Sequence, residues 1–274
     1  MKNLVSFFSF IYYATKILVI ITLVNWWFSE ANAQERVLVS DRKLINLIGD
    51  GIFKFKASLD CKHVLAGYDP YDRQRGKVLY NVCADNTITF DQPDSTGYRD
   101  WNGYCGQTAV SNLAGMLCRR FIHPELIDDY ATDITPGTLP ETNQLALNLL
   151  FRERNSPEGR TNPCPPGRWR SGTALTKKGF LAGLREALWQ GPGEYKRRRP
   201  DGSWIKITPV PVFIASGVQN IHWVTLVDFH ENKKDKYGCD AVLNTWGMQK
   251  YMTCENLVEY GFTPIYGYRF LRFN

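Results

Sequence analysis

The seven cysteines constrain the fold of this chain more than any other feature of its sequence. They are Cys61, Cys83, Cys105, Cys118, Cys164, Cys239 and Cys254, and all follow a leader-like N-terminus. Lys2 opens a short basic end, the apolar run Ile17–Val24 follows Lys16, and Ala31-Asn32-Ala33 supplies an A-x-A cleavage site. This is the layout of a secretory signal peptide over residues 1–33. The alternative is a retained anchor, since Leu4–Phe28 approaches spanning length if Lys16 is tolerated. Export to the periplasm or beyond the cell would place the remaining chain in an oxidising compartment. There six cysteines can form three disulfides, leaving one thiol over. Many connectivities are open in principle. Local spacing favours Cys61–Cys83, Cys118–Cys164 and Cys239–Cys254. No C-x-x-C pair has a matching partner, so neither a zinc knuckle nor any other metal site is expected.

Composition narrows the class. With 44% apolar and 22% charged residues over 274 positions, disordered, collagen-like and coiled-coil chains are excluded. The net charge of +6 is mild and scattered, so no nucleic-acid partner is expected. Beyond the leader, no stretch reaches the ~18 apolar residues of a membrane span.

Residues 34–95 read as a β-rich segment. Val37–Val39, Ile52–Phe55, Val78–Tyr80 and Thr87–Phe90 are short strand candidates between Gly, Asp and Pro signals. The polar stretch Asp94–Gly103 makes a boundary between this segment, open as a pro-segment, a substrate-binding module or an extra sheet, and a catalytic domain expected over 96–274. There Ala109, Val110, Leu113, Ala114 and Leu117 recur at helical spacing from Cys105 onward. Thr142–Phe151 and Leu175–Trp189 are further helices, the last stopped by Gly191-Pro192-Gly193. The proline-rich stretch 155–172 reads as a loop tied down at Cys164. Strand patterns follow at 210–215, 221–229, 241–246 and 266–273. Helices first and antiparallel strands after give an α+β plan.

Three segments carry chemistry. Cys105 opens a helix, where backbone N–H groups and the macrodipole favour a thiolate. His222 opens a strand and supplies an imidazole that could take the thiol proton. Asn244 lies on the next strand and could hold that imidazole in one tautomer. A hairpin centred on residue 233 would set His222 and Asn244 opposite each other on one face. Asp228 shares strand parity with His222 but would lie about 20 Å along the strand, outside such a group.

The order Cys, His, Asn on a helix and two sequential strands resembles the papain-like cysteine peptidase superfamily. Asn244-Thr245-Trp246-Gly247 is similar to the N-S-W-G segment of papain relatives. Cys105-Gly106-Gln107-Thr108 and His222-Trp223-Val224 are similar to the C-G-P-T and H-W-V motifs of bacterial peptidase C39-like proteins. The resemblance spans about residues 100–260. It implies a papain-like fold, with the Cys helix packed on the antiparallel sheet that bears His and Asn. It also implies a cofactor-independent peptidase with Cys105 as nucleophile, His222 as base and acid, and Asn244 as orienter. Trp246 would shield the pair. The family's upstream oxyanion glutamine falls at Arg99 here, so Asn102 is the nearest amide donor.

The implied substrate is a peptide, a protein or the peptide part of peptidoglycan. Acyl transfer by the same Cys-His order and an inactive papain-like binding module are the competing readings. The run Lys196-Arg197-Arg198-Arg199 before Pro200-Asp201-Gly202 reads as a charged hairpin that could touch anionic envelope polymers. Tyr98, Trp101 and Tyr104 crowd the approach to Cys105 and could line a groove.

Overall fold

A computed structural model describes residues 51–61, 63–90, 104–130, 139–153, 160–172, 176–216 and 220–269. The signal-peptide expectation over 1–33, the strand at Val37–Val39, the Asp94–Gly103 boundary and Asn102 lie outside the described residues, as do Tyr98 and Trp101. Among the described residues no helix is long and apolar enough to cross a membrane.

The architecture is mixed helix and antiparallel sheet. Seven strands pair in the order β1 (Ala57–Asp60), β11 (Met248–Thr253), β10 (Cys239–Thr245), β9 (Asn220–Glu231), β8 (Val210–Ser216), β12 (Gly261–Arg269) and β5 (Gly167–Ser171). Every pairing is antiparallel. A three-stranded sheet, β2 (His63–Tyr68), β3 (Lys77–Val82) and β4 (Ile88–Thr89), and the hairpin of β6 (Tyr195–Arg198) and β7 (Trp204–Ile207) complete the strands among the described residues.

Helices cover both faces of the large sheet. Helix α1 (Cys105–Leu113) is buried along its whole length. In α2 (Pro140–Arg152), Asn143, Ala146, Leu147, Leu150 and Phe151 form one buried stripe at helical spacing. Pro140 starts α2 and Arg152 sits in its last turn, as helix termini favour. In α3 (Lys177–Gln190), the Thr176 side chain caps the start by accepting from the Gly179 N–H. Thr253 caps α4 (Cys254–Tyr260) in the same way. Alternation along the central strands divides two cores. Phe213 and Trp223 join the core of α1 and α2, with Val110, Leu147 and Ile265. Val212, Ile214, Val224 and Leu226 join Leu184, Leu188 and Leu257 of α3 and α4.

The described part of the early β-rich segment joins the later chain. Strand β1 pairs with β11 as the edge of the main sheet, with Ser58 opposite Lys250. Two buried ion pairs fasten the rest of the early segment to the later chain. Arg120 donates from Nη2 to Asp69 at 2.7 Å and from Nη1 to Glu153 at 2.8 Å, and its guanidinium lies over the Tyr71 ring. Arg197 donates from Nε to Asp85 at 2.6 Å and from Nη1 to Asp228. All the described residues belong to one compact unit. Ile52–Phe55 is corrected from strand to a helical turn, in which Lys54 takes a left-handed backbone. Within the expected loop, Gly167–Ser171 forms β5.

The cysteine arithmetic holds. Disulfides join Cys61 to Cys83, Cys118 to Cys164 and Cys239 to Cys254, and Cys105 keeps its thiol. Three disulfides mark a protein of an oxidising, non-cytosolic compartment.

Because Arg120 and Asp69 are both fully buried, losing the guanidinium would strand a carboxylate away from water. Arg120→Met is expected to lower unfolding free energy by about 3–5 kcal/mol in a denaturant titration with the disulfides intact.

Candidate functional site

Helix α1 presents Cys105 as its first residue, with Tyr104 as N-cap. The Tyr104 carbonyl accepts from the Thr108 N–H at 2.8 Å and from the Thr108 hydroxyl at 2.7 Å. At the other end, Asn112 fixes the helix between two strands. It accepts from the Phe90 N–H at 2.8 Å and donates to the Thr225 hydroxyl at 3.2 Å. That second bond defines which face of β9 meets α1. Thr225 and Trp223 point toward the helix, so the intervening alternation sends His222 and Val224 to the other side.

The His222 ring is accordingly buried among α3- and α4-side residues. It stacks on Trp246 with centroids 4.2 Å apart and lies 6.1 Å from the Phe53 ring. Its Nε2 meets the Thr245 hydroxyl at 2.5 Å. Burial pushes its pKa down to about 3, with the Lys250 ammonium adding a smaller push. The imidazole is therefore neutral across the physiological range.

Asn244 faces the opposite way. It donates to the Thr87 hydroxyl at 2.9 Å and to the Ile88 carbonyl at 3.2 Å, and accepts from Gln249 at 3.3 Å. The hairpin register explains the separation. Cys239 pairs with Glu231, and a bulge in β9 between the partners of Val242 and Leu243 shifts the later pairs, so that Asn244 lies opposite Thr225. The expected pairing of Asn244 with His222 is corrected to Asn244 with Thr225. Directly opposed residues share a face, which puts Asn244 on the α1 side of the sheet.

Cys105 and Asn244 thus lie on one side of the sheet and His222 on the other. Thr245, one residue after Asn244, holds the imidazole. Trp246 does lie against His222, but as the first residue of a two-residue turn joining β10 to β11. Trp246 and Gly247 both have positive φ, 49° and 68°, as a type I′ hairpin requires. A left-handed Trp costs of order 1 kcal/mol, which the ring stack offsets.

Two further expectations change. The bulge moves Asp228 to the face of Thr225, where it is buried against Arg197 rather than in line with His222. Within the basic run, Arg197 is buried between Asp85 and Asp228 and is withdrawn from any contact with an envelope polymer. Thr245 and Lys250 were missed from sequence. Only the strand register reveals them, and the bulge that sets it has no glycine to announce it.

Among the described residues, one cluster has metal-ligand types, Asp235 with Cys239 and Cys254. Both thiols are spent in a disulfide, and Asp235 accepts N–H bonds from Tyr237 at 2.8 Å and Glu255 at 3.0 Å. Those groups are not arranged to hold an ion. Against models of known families and against curated proteins, the chain finds no match.

The buried imidazole makes stability pH-dependent in a defined direction. The unfolded chain takes up a proton near pH 6.5 at His222, the folded chain only near pH 3. Between those values the unfolded state binds more protons, so stability falls as pH falls, by an amount on the order of a few kcal/mol. His222→Gln is expected to flatten that part of the profile, read by denaturant titrations from pH 7 down to pH 3.

Proposed function

We propose that this chain is an exported, disulfide-stabilised thiol hydrolase that cleaves amide bonds with Cys105 as its nucleophile. One observation carries the reading. Six of the seven cysteines are paired, and the seventh keeps its thiol at the first residue of a helix laid on an antiparallel sheet. In the proposed reaction the Cys105 sulfur attacks the carbonyl carbon, its proton leaves with the departing amine, and water then hydrolyses the thioester. The substrate is a peptide bond in a protein or in the peptide part of peptidoglycan. Papain-like architecture with His222 and Asn244 as partners is the finer form of this proposal. It requires β9 to turn His222 toward α1.

The position of His222 favours a second reading, a papain-like binding module without turnover. Its imidazole is stacked on Trp246 and bonded to Thr245 on the sheet face away from α1.

The test begins with the non-reduced mature protein and iodoacetamide, read by mass spectrometry. A single alkylated residue at Cys105 is expected. Hydrolysis of purified sacculi and of a denatured protein is then compared for wild type, Cys105→Ala, His222→Gln and Asn244→Ala. The hydrolase reading expects Cys105→Ala to lose ~10³-fold or more in rate. Activity that survives in Cys105→Ala would sink it. Survival in His222→Gln alone would leave the thiol mechanism and remove the papain-like triad. Ligand capture with no turnover by wild type would establish the binding module.

A further inference from the structure

The β6–β7 hairpin has two faces of opposite character. Arg197, Ile205 and Ile207 point inward, and Arg197 is held by Asp85 and Asp228. Its backbone is tied to the body as well, since the Arg198 N–H donates to the Asp85 carbonyl at 2.9 Å. The alternate residues point outward. Lys196 lies directly opposite Lys206, and Arg198 directly opposite Trp204. All four are exposed, Trp204 at 57%.

This outward face is costly as it stands. Like charges directly opposed across a strand pair repel, and an exposed indole gains nothing from water. Glu194, 2.6 Å from Lys206, answers one of the cations. Beside the hairpin, Arg199 lies over the half-exposed Trp189 ring and extends the same pairing of cation with indole. The buried anchor at Arg197 holds the hairpin to the body, so the outward groups are presented in a fixed register. Cross-strand neighbours stand ~5 Å apart and successive outward residues along a strand ~7 Å apart, a short ladder of positive charge with a flat ring at one end.

We infer that this face, Lys196, Arg198, Trp204 and Lys206, binds a linear anionic polysaccharide, with the indole stacked on a sugar ring and the cations on its carboxylates or phosphates. A membrane surface fits less well. Interfacial binding needs a broad apolar face, and here one side chain in four is apolar. The inference is independent of the chemistry at Cys105.

The experiment uses the mature Cys105→Ala protein in affinity electrophoresis through gels containing polygalacturonate or its methyl-esterified, uncharged form. Retardation is expected in the charged polymer alone, and it should weaken as salt is raised. Lys196→Gln/Arg198→Gln/Lys206→Gln is expected to weaken binding about tenfold or more, and Trp204→Ala severalfold. Arg197 is left intact in every variant, and unchanged thermal melts confirm that the fold is kept. Equal retardation in both gels would overturn the inference, as would a triple variant or a Trp204→Ala variant that binds like the parent. Sedimentation with phosphatidylglycerol vesicles without retardation by polygalacturonate would assign the face to a membrane instead and also overturn it.

Discussion

Strand β9 is the element on which the site depends. It is the middle strand of seven, paired to β8 on one side and β10 on the other, and helices pack on both of its faces. A strand buried on both faces has no polar side to tolerate error, so each residue's direction is fixed by its number. Trp223 and Thr225 belong to α1, while His222 and Val224 belong to the α3 and α4 side. Reassigning His222 to the Cys105 side would move Trp223 and Thr225 out of the α1 core and break the Asn112–Thr225 bond. The bulge between the two halves of the β9–β10 pairing then sets which polar groups each face receives. It sends Asp228 to the same side as Thr225, where Arg197 compensates it.

Arg120 and Arg197 solve a related problem. The segment from β1 to β4 holds a small sheet with too little apolar surface to fold by itself. Its attachment is polar and buried. Asp69 reaches Arg120 at the end of the turn that follows α1, and Asp85 reaches Arg197 in the hairpin. Buried pairs of this kind add little net stability compared with apolar packing, but breaking one side is expensive. They therefore select one docking arrangement over many near-equivalent apolar ones. Thr87 and Ile88 complete it by taking both N–H groups of Asn244. The asparagine that sequence marks as an orienter is here a fastening between β4 and β10.

Much of this was legible in the chain because it depends on local pattern. The helical stripe from Ala109 to Leu117, the stop at Gly191-Pro192-Gly193 and the hairpin around Pro200-Asp201-Gly202 follow from periodicity and turn chemistry. The three disulfides join successive cysteines along the chain, Cys105 set aside. What could not be read depends on register. Centring the β9–β10 hairpin on residue 233 preserves the shared face of His222 and Asn244, but the one-residue bulge at the partners of Val242 and Leu243 shifts the later pairs and reverses it, because pairing has period two. Ile52–Phe55 shows the other failure. Four alternating residues fit a strand, but Lys54 adopts a left-handed backbone and carries Phe53 and Phe55 into the aromatic group around Trp246.

That aromatic group gives the motif Asn244-Thr245-Trp246-Gly247 a physical reading independent of any resemblance. A two-residue turn with both φ angles positive favours Asn or Gly at its first position, not Trp. The indole is held there because it is sandwiched. The His222 ring stacks on it, Phe55 meets it edge-on at 6.2 Å, and the Lys250 ammonium lies 5.3 Å from its centroid. Removing any of these would release the turn toward the conformation its backbone prefers. His222 stays neutral chiefly because burial disfavours its charged form, and the nearby Lys250 ammonium adds to that. Thr245 and Trp246 are therefore held with His222 by packing on one face of the sheet, while Asn244 points to the other. Cys105 belongs to the core on that other face, with Trp223 and the residues of α1 and α2.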